Sequence, residues 1–398
     1  MKQQTIKTSF YILTCIFLIS ILVSCNAVQG EKNEKTTKVI ENKSHSNKND
    51  NSIESKNSKT NSNNNYKMGF ESNLNYDISE ETYKMNPIKW TPETLIAPYY
   101  IDDDIIIFIE DLNGKDNIIE FSRASKEWNV LYETLGIGNL TGSNGKIFWT
   151  EYDTRNISEV NWTIKSYDIV KKEYKEIRKG GSFKGTPTPT LRIYNDSLNW
   201  IEYTTNNSKV TSQLIEYNIE KNETNIIANA SLDESKERNG EYFYLQNGAQ
   251  NGILLYKTLF NNGTKSFDIS LYNEESKPIS YIKSDRILDF TINENFFVYT
   301  GEGYLKANNL ISKEEITYNA SSMRLTVDSP ILFDNHYIIF RFAMNEIYIG
   351  DLMEKKYAPI TNSPLIVSKP ILSNGYIGFA TIDNQDLTTF HVLNIKDK

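Results

Sequence analysis

The stretch Pro330-Ile-Leu-Phe-Asp-Asn-His-Tyr-Ile-Ile-Phe340 decides the fold, because it recurs about 40 residues later as Pro370-Ile-Leu-Ser-Asn-Gly-Tyr-Ile-Gly-Phe379. Each copy contains a short apolar run, a turn with Asn, and a second apolar run that ends in an aromatic residue. Alternating runs joined by Asn-containing turns are typical of β-hairpins. Their recurrence at this spacing indicates a repeat architecture.

The second apolar run of this hairpin occurs seven times along the chain, each time with an aromatic residue in the same place. Those seven aromatic residues are Phe108, Trp149, Trp200, Tyr256, Tyr299, Phe340 and Phe379. A further alternating strand follows each run, and a third short strand follows in six of the seven units. With the strand that precedes each turn, every unit has four strands.

We therefore predict that residues 67–398 form an all-β domain, a seven-bladed β-propeller of four-stranded blades. The repeated aromatic residue is expected between adjacent blades. The seventh unit reaches the last residue without an outer strand, and we expect Tyr83–Trp90 to supply it. That N-terminal strand would close the ring and remove an open sheet edge. A six- or eight-bladed ring and a β-sandwich are the alternatives.

One unit also carries a family likeness. Lys146-Ile-Phe-Trp-Thr-Glu151 is similar to a YWTD-type propeller repeat, with Phe for Tyr and Glu for Asp. The layout of residues 83–398 resembles the TolB-like and WD-like propellers of bacterial periplasms and cell surfaces. This resemblance implies an interaction platform.

The N-terminus has the order of a secretory signal peptide. Lys2 and Lys7 precede a 14-residue apolar run, Phe10–Val23, which is shorter than the roughly 20 residues that span a bilayer. Leu22-Val-Ser-Cys25 resembles the lipobox of bacterial lipoproteins, which implies cleavage after residue 24 and acylation of Cys25. The chain would then be held on the extracytoplasmic face of the cell membrane, because two acyl chains give stable attachment. A plain secreted protein and an uncleaved anchor are the alternatives.

Residues 25–66 connect the acylated cysteine to the β domain. They are almost entirely Asn, Ser, Lys, Glu and Thr, so they cannot bury enough apolar area to fold. We predict a disordered tether with a root-mean-square span of about 35 Å. The other cysteine, Cys15, lies in the predicted signal peptide, so the mature chain has no internal disulfide.

Composition restricts the partners. The chain carries a net charge of −8, and residues 1–65 hold nine lysines and five acidic residues, so the remainder carries about −12. This charge argues against nucleic acid, whose binding needs clustered positive charge. Three scattered histidines (His45, His336, His391) do not indicate a zinc site or a catalytic triad. We expect a monomeric domain with no cofactor, metal site or catalytic constellation.

Three successive units place a glutamate two residues after the repeated aromatic: Glu110, Glu151 and Glu202. Residues two apart on a strand point to the same side, so these carboxylates are expected at equivalent heights on neighbouring blades. They are the candidate ligand-binding residues, for a cation, a sugar or a basic peptide. The other interpretation is that each solvates a strand end or bonds a nearby loop.

Taken together, these patterns predict a membrane-anchored binding module for a protein, a peptide or an envelope polymer. One alternative is an extracytoplasmic enzyme that acts on glycans through acidic residues at the propeller mouth. Another is a partner in envelope assembly or sensing.

The lipobox can be tested at its cysteine. Replacing Cys25→Ser removes the acyl acceptor, so we expect the protein to lose palmitate labelling and to leave the membrane fraction. Cys15→Ser, in the segment to be removed, is the control and should stay labelled. A Cys25→Ser protein that remained with the membranes would contradict acylation as the anchor.

Overall fold

The computed structural model describes most of the chain between residues 78 and 395. The described residues are 74, 78–85, 96–112, 114–155, 159–183, 186–194, 196–235, 238–249, 252–272, 279–282, 287–320, 322, 325–361, 366–383 and 387–395. They belong to one compact unit, Tyr66–Lys398. The predicted signal peptide, Cys25 and the tether lie outside them.

Every regular element in the described part of the chain is a β-strand, as predicted. No helix that could cross a membrane occurs among these residues. The first strand is β1 (Ser79–Met85), and the other strands follow in groups of four, which we number as sheets 1 to 7.

Sheet 1 contains β2 (Pro98–Ile101), β3 (Ile105–Leu112), β4 (Lys115–Ser122) and β5 (Trp128–Thr134), and sheet 2 contains β6 (Gly136–Ser143), β7 (Lys146–Tyr152), β8 (Val160–Asp168) and β9 (Glu173–Ser182). Sheet 3 contains β10 (Arg192–Tyr194), β11 (Ser197–Asn206), β12 (Lys209–Asn218) and β13 (Glu223–Asp233). Sheet 4 contains β14 (Asn239–Ala249), β15 (Gly252–Asn261), β16 (Thr264–Tyr272) and β17 (Ile279–Ile282).

Sheet 5 contains β18 (Asp289–Ile292), β19 (Phe296–Gly301), β20 (Tyr304–Asn309) and β21 (Glu315–Asn319). Sheet 6 contains β22 (Val327–Phe333), β23 (Tyr337–Phe342), β24 (Glu346–Asp351) and β25 (Lys356–Pro359). Sheet 7 contains β26 (Ile366–Val367), β27 (Ile371–Ser373), β28 (Tyr376–Ile382) and β29 (Thr388–Asn394).

Within each sheet, consecutive strands pair antiparallel except β26 and β27, and the first strand of each group is an edge except β14, which also pairs with β13 at its start. We call these first strands the inner strands. Sheets 3 and 4 are continuous through a short pairing of β13 with β14, at Leu232–Gly240 and Asp233–Asn239. In sheet 7 the inner strand is in two pieces, since β26 and β27 both pair with β28.

The last sheet is completed from the N-terminal side, as the missing outer strand predicted. β1 pairs antiparallel with β29 from Ser79–Asn394 to Met85–Thr388. The strand starts four residues earlier than the Tyr83–Trp90 that the sequence suggested. Tyr83 and Met85 are the buried residues of β1. They lie two positions apart and point to the same face, so burying both of them sets the register of β1 against β29.

Apolar side chains fill the spaces between consecutive sheets. Among the described residues, seven buried clusters join sheet 1 to 2, 2 to 3, 3 to 4, 4 to 5, 5 to 6, 6 to 7 and 7 to 1. In the last of these, Phe108 of β3 packs edge-on against Phe390 of β29, with ring centroids 5.3 Å apart. The core is therefore a series of layers between sheets.

Six of the seven repeated aromatic residues face the preceding sheet, as expected for side chains between blades. Tyr256 is the exception, because it packs toward sheet 5 near Phe290. Its neighbour Leu255 faces sheet 3 instead. The prediction that Tyr256 occupies the repeated position was therefore wrong by one residue, because Leu255 occupies it. In a strand, a shift of one residue moves a side chain to the opposite face of the sheet.

A small polar group holds β1 in place, and we call it the latch: Glu80, Glu81, Tyr83, Arg123 and His391. Arg123 follows β4 and donates to Glu81 Oε1 at 2.9 Å and to the Tyr83 hydroxyl at 3.0 Å. Its guanidinium lies 4.6 Å from the centre of the Tyr376 ring. His391 Nδ1 lies 2.5 Å from Glu80 Oε1. Sheet 1 is thereby bonded to the strand that completes sheet 7.

The latch can be tested at Arg123, which is 7 % exposed. Arg123→Gln should lower the free energy of unfolding by about 1–3 kcal/mol, since it removes the ion pair with Glu81 and leaves the hydroxyl of the buried Tyr83 without this charged donor. Urea unfolding followed by tryptophan fluorescence measures the change. The control is Lys115→Gln, which breaks an exposed ion pair with Glu133 and should change stability by less than about 0.5 kcal/mol. Equal stability of Arg123→Gln and wild type would contradict the latch.

Candidate functional site

The three predicted glutamates lie in three different spaces between sheets. Each stands on the second strand of its sheet, two residues after an aromatic residue that faces the preceding sheet. Glu110 therefore faces sheet 7, Glu151 faces sheet 1 and Glu202 faces sheet 2. The fold repeats their position but does not bring the three carboxylates together.

Glu151 and Glu202 contact the outer strand of the preceding sheet. Glu202 accepts two hydrogen bonds from Arg178 of β9, both 2.9 Å, and one of 2.9 Å from the indole of Trp200. Glu151 accepts from the Tyr132 hydroxyl of β5 at 2.9 Å, and Lys165 Nζ lies 2.9 Å from it. These contacts tie neighbouring sheets together, and ligand binding by either carboxylate stays a prediction.

Glu110 differs from the other two glutamates. It is buried, and its Oε2 has no hydrogen-bond partner among the described residues. Burial, with a smaller contribution from the charge of Asp111, raises the pKa of Glu110 to about 7. The hydroxyl of Thr388, on the facing sheet, is also buried without a partner. The space between sheets 7 and 1 thus contains a carboxyl group that burial keeps protonated below neutral pH.

A different set of polar groups lies along the inner strands. Their free edges are bridged by side chains of neighbouring sheets rather than by other strands. Asn139 of β6 accepts from the Leu191 amide at 2.6 Å. Gln246 and Asn247 of β14 donate to the carbonyls of Thr190 and Phe290 at 2.6 and 2.7 Å. These bonds place the inner strands of sheets 2 to 5 side by side.

The same bridging continues on the other side of the molecule. Arg341 of β23 donates to the Val367 carbonyl of β26 at 3.2 Å. Ser373 of β27 accepts from the Ile101 amide and donates to its carbonyl, both at 2.9 Å. The Asn144 amide of sheet 2 donates to Asn374 of sheet 7 at 3.0 Å. A turn of sheet 2 therefore also lies against a turn of sheet 7, although these two sheets are not consecutive.

Five charged residues belong to this region, and we call them the inner-strand cluster: Arg192, Asp289, Asp328, Arg341 and Lys369. Arg341 and Asp328 form a two-pronged ion pair with distances of 2.8 and 2.6 Å. Asp289, at the start of β18, is half-buried and accepts from the Phe290 amide at 2.9 Å. Arg192 begins β10, and Lys369 lies between β26 and β27.

The charges of three other cluster members act on Asp289. Burial raises the pKa of Asp289, the positive charges of Lys369 and Arg192 oppose that rise, and the negative charge of Asp328 adds to it. Asp289 belongs to sheet 5, whereas those three residues belong to sheets 7, 3 and 6. Asp289 is thus within electrostatic range of groups from three other sheets.

In the part of the chain that the structure describes, neither Arg192 nor Lys369 makes a hydrogen bond or an ion pair through its side chain. The sequence offered no signal for the cluster, because each member is a single charged residue in a different part of its unit, four of them near a strand start and Arg341 near the end of β23. Among the same described residues, no three His, Cys, Asp or Glu side chains are grouped as a metal site would require.

Comparisons with known proteins found no matching protein family and no matching curated protein. Solved structures with related folds include the β-propeller domain of the trilobed protease from Pyrococcus furiosus, with a TM-score of 0.47 and 12 % identity over 75 % of this chain and 94 % of that one. The AfRom2 CNH domain has a TM-score of 0.47 and 10 % identity, covering 75 % and 95 %. The WD40 propeller domain of Doa1 has a TM-score of 0.45 and 12 % identity, covering 73 % and 89 %. No residue role is carried over at these similarities.

The buried state of Glu110 predicts a pH-dependent stability. Its pKa is about 7 in the fold against an ordinary value of 4.5, so folding favours the protonated form and stability is lost as pH rises through this window. Glu110→Gln should match wild type at pH 4 and be more stable by about 1–3 kcal/mol at pH 8.

Urea unfolding at a series of pH values measures this difference. The control is Glu127→Gln, an exposed position after the latch arginine, for which the difference from wild type should not change between pH 4 and 8. A Glu110→Gln curve parallel to that of wild type would show that the carboxyl group is ionised in the fold.

Proposed function

We propose that this chain is a lipid-anchored, extracytoplasmic β-propeller of seven blades that binds its ligand at the inner-strand cluster. The observation that carries the proposal is that charged residues of three other sheets act on Asp289 at the inner edges, and that two of them, Arg192 and Lys369, make no side-chain hydrogen bond or ion pair among the described residues.

Two features support a closed ring of seven blades. Buried apolar clusters join each sheet to the next, and the seventh of them joins the last sheet to the first. The pairing of β1 with β29 gives sheet 7 an outer strand and covers an edge that would otherwise be open. In a ring the inner strands would surround a central channel, with the cluster in its wall.

A binding role fits the chemistry of this region. Side-chain bonds fix the inner strands to their neighbours, so groups on them are held in place before a ligand arrives. Arg192 is half-buried and has no side-chain partner among the described residues, so it gains more from a ligand than a fully solvated cation would, because less water screens it. The three glutamates, in separate spaces between sheets, do not form the close pair of carboxylates that glycoside hydrolysis uses.

The location rests on the N-terminal sequence. The lipobox at Leu22–Cys25 and the polar segment after it support attachment of a monomeric domain to the outer face of the cell membrane. Such a domain would meet proteins and polymers of the envelope, and a partner of this kind is part of the proposal.

Site-directed photo-crosslinking in the native envelope tests where the partner binds. A benzoyl-phenylalanine replacing Tyr99, a half-buried residue on inner strand β2, should crosslink to one defined partner. The matched control replaces Tyr174, which is 48 % exposed on outer strand β9. The partner should appear with the first position and be absent with the second. Crosslinking only from Tyr174, or from neither position, would refute binding at the inner strands.

A further inference from the structure

We propose that the outer edge of β1 is a second binding site, which takes an extended acidic segment of a partner protein as an added β-strand. β1 is the outer strand of sheet 7, so this site is separate from the inner-strand cluster and goes beyond the proposed function. A segment that adds a strand to a sheet gains main-chain hydrogen bonds from the edge, and pockets for its alternate side chains give specificity.

The strand β1 presents a free edge. It pairs with β29 on one side, and with no other strand in the part of the chain that the structure describes. In an antiparallel pair, alternate residues turn their backbone N–H and C=O groups away from the partner strand. Those groups of β1 therefore lie along an edge that can accept one more strand.

A cleft of about 370 Å³ lies beside β1. It is lined by residues 82–85 of β1, Phe121 of β4, Lys126 between β4 and β5, and Trp128 at the start of β5. Successive side chains of a strand point to opposite faces, so a space that touches four consecutive residues follows the backbone of the strand. Its volume is within the range of roughly 300–1,000 Å³ that is usual for ligand clefts.

The side of the cleft that sheet 1 contributes is apolar and accessible. Trp128 is 42 % exposed, whereas Phe121 and Met85 are buried. An exposed tryptophan loses apolar contact with water when an apolar side chain covers it, and this burial favours association. Trp128 is therefore the expected anchor for an apolar side chain of the added strand.

The charges of the cleft select an acidic segment. Two lysines and no acidic residue line it. Lys126 donates from its ammonium to the Arg123 carbonyl, and the same nitrogen lies 4.1 Å from the centre of the Tyr83 ring, so its charge is held at the cleft. Lys84 is exposed and makes no side-chain hydrogen bond or ion pair among the described residues. Because residues 66–398 carry about −12 overall, these two cations distinguish the cleft from the rest of the domain.

The alternation of β1 sets the pattern of the segment. Tyr83 and Met85 belong to the apolar cluster shared with sheet 1, and Lys84 points to the opposite face. Residues of an added strand on the first face would lie near Trp128, and those on the second face would lie beside Lys84. The segment should therefore alternate apolar and acidic residues.

Titration calorimetry of the full chain in detergent tests the site with three blocked heptapeptides. The first alternates glutamate and valine, with glutamate at both ends; the second has lysine in place of glutamate; the third is the first with proline in place of its central valine. We expect one equivalent of the first to bind, and the other two to bind at least about tenfold more weakly. Proline lacks the N–H that strand pairing uses, so the third peptide separates strand addition from charge alone.

Charge reversal gives the experiment a distinctive sign. The Lys84→Glu/Lys126→Glu variant should bind the acidic peptide at least about tenfold more weakly and the basic peptide more tightly than wild type. Lys84→Glu alone, which leaves the contact of Lys126 with Tyr83 intact, should shift both affinities in the same directions. The matched control is Lys209→Glu/Lys221→Glu, which reverses two exposed lysines of sheet 3 and should bind like wild type.

The apolar anchor has a control on its own strand. Trp128→Ser should weaken binding of the acidic peptide by about three- to tenfold. Val130→Ser should leave it unchanged, because Val130 is similarly exposed two residues further along β5 but does not line the cleft.

The inference is overturned if the acidic peptide shows no saturable binding, if the proline peptide binds equally well, or if charge reversal or Trp128→Ser leaves the affinity unchanged. A dimer in detergent that dissociates on charge reversal would assign the edge to a second copy of this chain, and would also overturn it. Crosslinking from Tyr99 is independent of these outcomes, because Tyr99 lies on the inner strand β2.

Discussion

The pairing of β1 with β29 is the interaction on which the rest of the domain depends. Each sheet buries apolar side chains on both faces, so a stable sheet needs a neighbour on either side. Sheets 2 to 6 obtain both neighbours from consecutive stretches of chain, but sheets 7 and 1 come from opposite ends. β1 completes sheet 7 and contributes Tyr83 and Met85 to the cluster that this sheet shares with sheet 1. Arg123 bonds to the same strand, so the two ends of the domain are joined by the ladder, by apolar packing and by charge.

This arrangement explains why the repeated glutamates serve different purposes. The position two residues after the repeated aromatic always faces the preceding sheet, and what it meets there depends on that sheet's outer strand. Glu202 meets Arg178, and Glu151 meets Tyr132 with Lys165 beside it, whereas Glu110 finds no partner for one oxygen. The repeat therefore sets the place of the carboxylate, and a residue about 20 positions earlier decides its chemistry in the first two cases. Glu110 is instead buried against sheet 7, and this burial raises the pKa of its carboxyl group.

Alternation and turn residues were sufficient to predict the strands. A further strand follows each repeated aromatic run, as the alternation predicts, and β20 (Tyr304–Asn309) and β24 (Glu346–Asp351) are two examples. Two details required the structure. Tyr256 belongs to the opposite face because the unit is displaced by one residue, and an aromatic residue alone does not reveal which face it occupies. The N-terminal strand begins at Ser79 because its register is set by β29, more than 300 residues away.

The sequence by itself determined the repeat, the four strands of each unit, the acidic charge of the domain and the predicted acylation signal at Cys25. These properties depend on neighbouring residues along the chain, which periodicity and composition report directly. Only the tertiary structure decided that Arg192, Asp328 and Lys369 act on Asp289. Each is an ordinary charged residue within its own unit, and they come within range of Asp289 because the packing of successive sheets brings the inner strands together. That convergence arises from contacts between units, which the local pattern of any one unit does not contain.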